Sequence, residues 1–292
     1  MIMEMCLEDI LGNNLIKMKE KIIKLIQVYK QERYLNNKHF PKIGIQDGVQ
    51  NQKLLESTDF KKNKTKIFGL NLAYSHGPSL VHSLEEIFGG DIYLFNNDNE
   101  TPYIIDCGAN IGISVLYFQK KYPKAKILAF EPDEFIYNIL EENIKTFNHS
   151  TTEIRKEAVW VKDEILEFYS EGALAGSIVT DFGKNNNIIQ IKAIDLKKYL
   201  NQPVDFLKID IEGAENTLIF DIKDHLYQVK NLFLEYHGII GEEQNLGEIL
   251  NLLKSKGFQY YIRVAGETIK QPFCNEKPNA FNQQLNIFCY RV

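Results

Sequence analysis

Apolar residues return along the 292-residue chain at two different spacings, and the change from one to the other divides it. Between Leu7 and about Tyr34 they recur every three or four positions, at Leu11, Leu15, Met18, Ile22, Leu25, Ile26 and Tyr29, with lysines filling the other face. That period predicts one amphipathic helix. Such a stripe commonly packs on its own domain; an anionic membrane surface or a second copy of the chain would also fit it. Residues 36–66 are polar, rich in Asn and Lys and weakly periodic, which predicts a linker or an irregular connection. A second helix is expected over Ser79 to Phe88.

After Tyr93 the pattern changes to apolar runs of strand length alternating with helical stretches, the signature of repeated βαβ units. Parallel strands are expected at Tyr103 to Asp106, Lys126 to Phe130, Glu153 to Val161, Val204 to Ile209 and Asn231 to Glu235. Helices are expected at Ile113 to Lys121, Glu134 to Thr146, Glu215 to Phe220 and Leu246 to Lys256. The runs Gln259 to Val264 and Leu285 to Tyr290 have no helix between them and read as an antiparallel pair closing one edge. The expected fold is therefore α/β: a Rossmann-like, doubly wound, mostly parallel seven-stranded sheet with an antiparallel edge pair. It would occupy residues 96–292, behind a helical or irregular N-terminal extension over residues 1–95.

Composition narrows the function. With 44% hydrophobic residues the chain can bury a sizeable core. A formal net charge of -5 argues against bulk nucleic-acid binding, which relies on cationic patches. Residues 1–66 carry 13 Lys or Arg against 8 Asp or Glu, and the remainder 21 against 31, which marks a boundary more than a ligand. Cys6, Cys107, Cys274 and Cys289 show neither paired spacing nor a neighbouring His suited to zinc. A reduced, cytoplasmic protein is the simplest expectation. No apolar run reaches the roughly 18–20 residues that span a bilayer, and Met1 to Leu11 is acidic where a signal peptide is positive.

The first strand ends Asp106-Cys-Gly-Ala-Asn-Ile-Gly112 and then opens a helix. Gly108 and Gly112 let the backbone approach a ligand at the carboxyl edge of the sheet, where doubly wound folds place their sites. Their spacing, with Ala109 and Asn110 between, departs from the dinucleotide fingerprint, so an adenosine ligand other than a dinucleotide is favoured; a tight turn without ligand is the plainer alternative. The next strand ends Phe130-Glu-Pro-Asp133. Glu131 is suited to accept both hydroxyls of a ribose. Glu157, followed by the small Ala158, is suited to an adenine amino group, or is a solvated strand-end carboxylate. Asp106 would lie near a positively charged end of such a cofactor; it is badly placed to cap the following helix.

The run Val204-Asp-Phe-Leu-Lys-Ile-Asp-Ile-Glu-Gly-Ala-Glu215 is the most informative stretch. Strand alternation places Lys208, Asp210 and Glu212 on one face. Burying them unpaired would cost several kcal/mol, so they pair, bind a ligand or bind a metal. Glu235 and His237 end the following strand and should converge on the same mouth. His237, with an ordinary pKa of about 6.5, is the expected general base, or else a hydrogen-bonded strand-end histidine. Magnesium or calcium at Asp210, Glu212 and Glu235 is a further possibility that oxygen ligands allow.

At these residues the chain resembles the FkbM family of methyltransferases: Asp106 to Gly112, Phe130-Glu-Pro132, Glu157-Ala158, Phe206 to Glu215 and Glu235-Tyr-His237 match in order and spacing. The resemblance covers about Ser79 to Val264, and departs where Gly176-Ser177 stands in place of a Ser-Ser pair. It implies a class I fold, S-adenosylmethionine as cofactor, and methyl transfer to oxygen. It also implies a hydroxyl acceptor on a sugar, a glycan or a related small molecule rather than nucleic acid. Rival readings are a nucleic-acid methyltransferase, disfavoured by Asp210-Ile-Glu-Gly where base methylators carry a Pro-Pro-aromatic signature, a scaffold without chemistry, and a nicotinamide dehydrogenase. The N-terminal helix is a candidate homodimer contact.

Overall fold

The computed structural model describes residues 19–148, 150–170, 176–177, 187–266, 271–274 and 281–291. Residues 19–34 are helical, as their period predicts, but every one of them is exposed. Ile22, Leu25, Ile26 and Tyr29 stand between 46% and 67% open to solvent, so this stripe does not pack on its own domain. Leu11, Leu15 and Met18 lie outside the described residues.

The stretch expected to be a linker is ordered. Helix α1 (Gly48–Glu56) is capped by Asp47, whose side chain accepts from the Gln50 amide at 2.9 Å. Strands β1 (Asn63–Ile67) and β2 (Leu70–Tyr74) form a hairpin around Phe68 and Gly69. Both turn residues have positive φ, the conformation that a two-residue hairpin loop demands. Periodicity missed these elements because β1 buries one residue, Ile67, and α1 one, Leu54. Helix α2 (Gly77–Leu84) follows, and starts two residues before the expected position.

The main sheet holds β3 (Tyr103–Cys107), β4 (Lys126–Phe130) and β5 (Thr152–Arg155). Between them run α3 (Ile113–Lys121) and α4 (Glu134–Phe147). The expected strand over Glu153 to Val161 is broken: β6 (Ala158–Trp160) leaves the main sheet. It joins β7 (Glu164–Ser170), β8 (Gly176–Ser177) and β9 (Asn187–Asp195) in a separate sheet of order β6-β9-β7-β8. The main sheet then continues with β10 (Val204–Ile209), α5 (Glu215–Asp221), β11 (Val229–Ile239) and α6 (Leu246–Ser255). It closes with β12 (Gln259–Val264) and β13 (Phe281–Tyr290).

The order in the seven-stranded sheet is β12-β13-β11-β10-β3-β4-β5, with β5, β4, β3, β10 and β11 parallel and β13 antiparallel to both of its neighbours. This is the expected doubly wound fold. Strand order reverses between β3 and β10, which opens a crevice at their carboxyl ends.

Alternation along the strands feeds two cores. Ile104, Ile127, Ala129, Phe206 and Phe233 pack on one face with α3 and α4, whereas Ile105, Leu128, Leu207, Leu232 and Leu234 pack on the other with α5 and α6. The first core also contains Phe40, Ile45, Leu54, Leu72, Leu80 and Tyr93. Residues 40–95 thus contribute side chains to a core shared with the sheet. Asn143 on α4, fully buried, ties the two parts: its Oδ1 accepts from the Ala73 amide at 2.7 Å, and its Nδ2 donates to Ala73 O and Ile111 O at 2.9 and 2.8 Å. Among the described residues no helix is long and apolar enough to cross a membrane.

Candidate active site

The crevice is a cavity of about 750 Å³. The turn after β3 forms one wall, because Gly108, with φ of 88°, brings its backbone against β10: a Cβ there would lie 1.9 Å from Asp210 O. Gly112, also at positive φ, does not line the cavity; its missing side chain makes room for Leu140 of α4 instead. Asn110, with φ of 49°, turns its amide onto Glu131 Oε2 at 3.0 Å.

Glu131, at the end of β4, is nearly buried, and its second oxygen accepts from the Asp133 amide at 3.0 Å. Burial raises its pKa to about 8, against the pull of those two amides. Pro132 and Asp133 border the same space, but Asp133 also caps α4, accepting from the Ile136 amide at 3.0 Å. Glu157 and Ala158 line it from the second sheet. Glu157 is not the solvated carboxylate of the plainer alternative: Lys192 holds its Oε1 at 2.5 Å and Arg155 lies 3.5 Å from Oε2, which has no hydrogen-bond partner among the described residues.

Lys208 closes the floor. In the β3–β10 register it stands beside Asp106, and its Nζ donates to Gly108 O at 2.8 Å while lying 3.3 Å from Asp106 Oδ1 and 3.2 Å from Asp210 Oδ2. Burial disfavours the ammonium, but the two carboxylates outweigh that and hold its pKa well above the ordinary value. Asp106, expected beside the cofactor, is fully buried behind this lysine; its other oxygen accepts from Ser114 Oγ at 2.5 Å, and it does not line the cavity. Ser114 and Lys208 line it in its place.

At the far end, Asp210, Glu212 and Glu235 face the cavity. His237 does not. It is fully buried behind them, its Nδ1 2.8 Å from Glu215 Oε1 and its Nε2 3.3 Å from Glu212 and 3.9 Å from Glu235. Burial works against the imidazolium, but Glu215, Glu212 and Glu235 together push its pKa up to about 10. As it stands, His237 is charged at neutral pH, and the expectation of a neutral, accessible general base is corrected. Burial, and next the charge of Asp210, push Glu235 well above the ordinary carboxylate range. Tyr93, Glu86 and Gln284 complete this end and were not singled out in the sequence. Glu86 lies in a helical run whose period only says that one side is apolar, so no signal marked it.

Residues 106–260 match the Methyltransferase FkbM domain. The chain belongs to this family. Among its FkbM-type and other methyltransferase relatives, methyltransferase sdnD of Sordaria araneosa is 28% identical over 211 residues, covering 60% of this chain and 80% of that protein. The 31-O-demethyl-FK506 methyltransferase FkbM of Streptomyces tacrolimicus is 23% identical over 229 residues, covering 65% and 86%. Among solved structures, methyltransferase FkbM from Methylobacillus flagellatus KT superposes with a TM-score of 0.42 at 13% identity, covering 81% of this chain and 57% of that one.

The protein is a methyltransferase, and its cofactor is S-adenosylmethionine. The cavity suits that molecule. It offers an open glycine turn, a buried carboxylate at the end of the adjacent strand, and a buried oxygen of Glu157 without a hydrogen bond among the described residues.

The Lys208 arrangement carries a consequence for stability. Lys208→Met leaves Asp106 charged and without its cation, which costs about 3–5 kcal/mol. Thermal or urea unfolding should show that loss, and adding Asp106→Asn should recover a large part of it. Equal stability of wild type and the single variant would show that the pair is not what holds the two strand ends together.

Proposed function

We propose that this FkbM-family methyltransferase acts on a hydroxyl oxygen of a sugar, a glycan or a related small molecule. The observation that carries the reading is the acceptor end of the cavity, where Glu86, Asp210, Glu212, Glu235 and Gln284 present oxygens that accept from hydroxyl groups. Such a wall repels phosphates and suits a neutral polyol. On the cofactor side, Glu131 takes the ribose hydroxyls, Glu157 takes the adenine amino group, and Gly108, Ala109 and Asn110 supply the backbone surface. S-adenosylmethionine supplies an electrophilic methyl group on a sulfonium. Glu235 orients the acceptor hydroxyl and in its ionised form would take the proton as the carbon–oxygen bond forms and the carbon–sulfur bond breaks to release the demethylated thioether, and Lys208 fixes Asp210 beside it. Alignment of the two reactants is worth about 7–11 kcal/mol. The same reading places the protein in the cytoplasm, where the free thiols of Cys107 and Cys289 stay reduced.

With labelled S-adenosylmethionine and a panel of monosaccharides, oligosaccharides and hydroxylated natural products, wild type should yield methyl ethers. Glu235→Gln should lower kcat by about 10²–10⁴-fold with cofactor affinity unchanged. Label that enters amines or nucleic acid and no hydroxyl compound would overturn the reading.

Glu131 makes a separate prediction. Free, it holds a proton at neutral pH because its pKa is raised to about 8; ribose hydroxyls donating to it favour the ionised form. Cofactor binding at pH 7 should therefore release up to about one proton. The calorimetric enthalpy will then vary with the ionisation enthalpy of the buffer, and Glu131→Gln will abolish that variation. Identical enthalpies in phosphate and Tris for wild type count against the assignment.

The exposed stripe at Ile22, Leu25, Ile26 and Tyr29 supports pairing with a second copy of the chain. Light scattering of the full chain should give a dimer, and Leu25→Lys with Ile26→Lys a monomer; a monomeric wild type refutes the pairing.

A further inference from the structure

His237 is held for a task that hydroxyl binding does not explain. Its ring is fully buried and packs against Phe281, with centroids 4.7 Å apart and planes tilted by 55°. Glu215, itself fully buried, accepts from the Gly213 amide at 2.7 Å and from the His237 amide at 2.9 Å, and contacts His237 Nδ1 at 2.8 Å. Three fixed contacts of one carboxylate leave the imidazole one orientation. With Nδ1 bound to Glu215, the outward nitrogen is Nε2, and it makes no hydrogen bond among the described residues.

Nε2 points to the acidic wall. One ligand atom from each of Asp210, Glu212 and His237 lies within 4.8 Å of the others. Three donors around a cation with bonds of about 2.0–2.3 Å are separated by about 3 Å when adjacent and about 4.5 Å when opposite. Nε2 and Glu212 Oε2, 3.3 Å apart, already stand at about the adjacent separation, and a ligand atom of Asp210 lies within 4.8 Å of theirs. The backbone is shaped to match: Glu212 adopts φ of 53°, a left-handed conformation that a side chain enters at a cost, and Gly213 follows at 100°. This turn puts Glu212 against His237 while Asp210 stays over the floor of the cavity.

Charge points the same way. Asp210, Glu212, Glu215 and Glu235 crowd this end of the cavity around Lys208 and His237. Glu215 on Nδ1 gives His237 the carboxylate support common to metal-bound histidines.

We propose that Asp210, Glu212 and His237 bind a divalent cation, with Glu215 as the positioning residue that aims His237. The set differs from the one the sequence allowed by taking His237 in place of Glu235. Two carboxylate oxygens with one imidazole nitrogen favour manganese over calcium or magnesium, which prefer all-oxygen shells. Positions left open on the cation face the cavity and suit the oxygens of a polyol.

The test uses the chelator-treated full chain and manganese alone, without methyl donor or acceptor. Loss of the free-ion electron paramagnetic resonance signal should report one saturable site. Glu212→Gln, at a partly exposed turn position, should weaken binding at least 10-fold, and Glu215→Gln by about 10–100-fold, with circular dichroism unchanged. Glu153→Gln, on exposed β5, should leave binding unaltered. Electron spin-echo modulation should show one imidazole nitrogen coupled to the bound ion. No saturable binding below about 1 mM, equal affinity in Glu212→Gln, or a bound ion without nitrogen coupling would each overturn the proposal. Because no transfer is measured, manganese binding without hydroxyl methylation sinks the acceptor reading alone, and the converse sinks the cation site alone.

Discussion

An ammonium group buried between two strand ends is the contact on which the carboxyl edge of this sheet depends. Lys208 reaches Asp106 on β3, Asp210 beyond the end of β10 and the carbonyl of Gly108 in the turn between them. Burying one charge there is unfavourable, and the cost is met because the three charges and one carbonyl are assembled where the strand order reverses. The glycine at 108 is a condition of this contact. A side chain there would strike Asp210 O, and the two strand ends would part. The cavity, the orientation of Asp210 and the position of the following turn all descend from that close approach.

The acidic residues at this edge differ in how completely each is answered. Asp106 is answered by Lys208 and Ser114, and Glu215 by His237 and two backbone amides; neither lines the cavity. Glu131 has two amides, and burial still raises its pKa. Asp210 and Glu235 border the cavity with less compensation, and Glu212 borders it beside His237. The gradient separates groups that shape the site from groups left to act on what enters it. A carboxylate already satisfied by the protein has little to offer a ligand.

Much of the fold was legible in residue order. Alternation placed β3, β4, β10 and β11 within one or two residues of their ends except at β11, which runs on to Ile239. It failed where an element buries a single side chain, as in α1 and β1, and where one run serves two sheets, as between Arg155 and Ala158. Period measures how many apolar residues face one way. It is silent on which neighbour a strand joins, because that depends on packing contacts far away in the chain.

Sequence by itself determined the family, through motifs that resemble it, and the parallel sheet, through the strand period, and it brought Asp210, Glu212 and Glu235 forward as candidates for the carboxyl edge. Only the tertiary structure decided the rank of those residues. It hid Asp106 behind Lys208, turned Gly112 toward Leu140, gave Asp133 a cap to make and sealed His237 behind Glu212 and Glu235. Burial and charge neighbours set a group's protonation and reach. Both arise from contacts such as that of Glu215 with His237, 22 residues apart along the chain yet within a hydrogen bond in the folded protein.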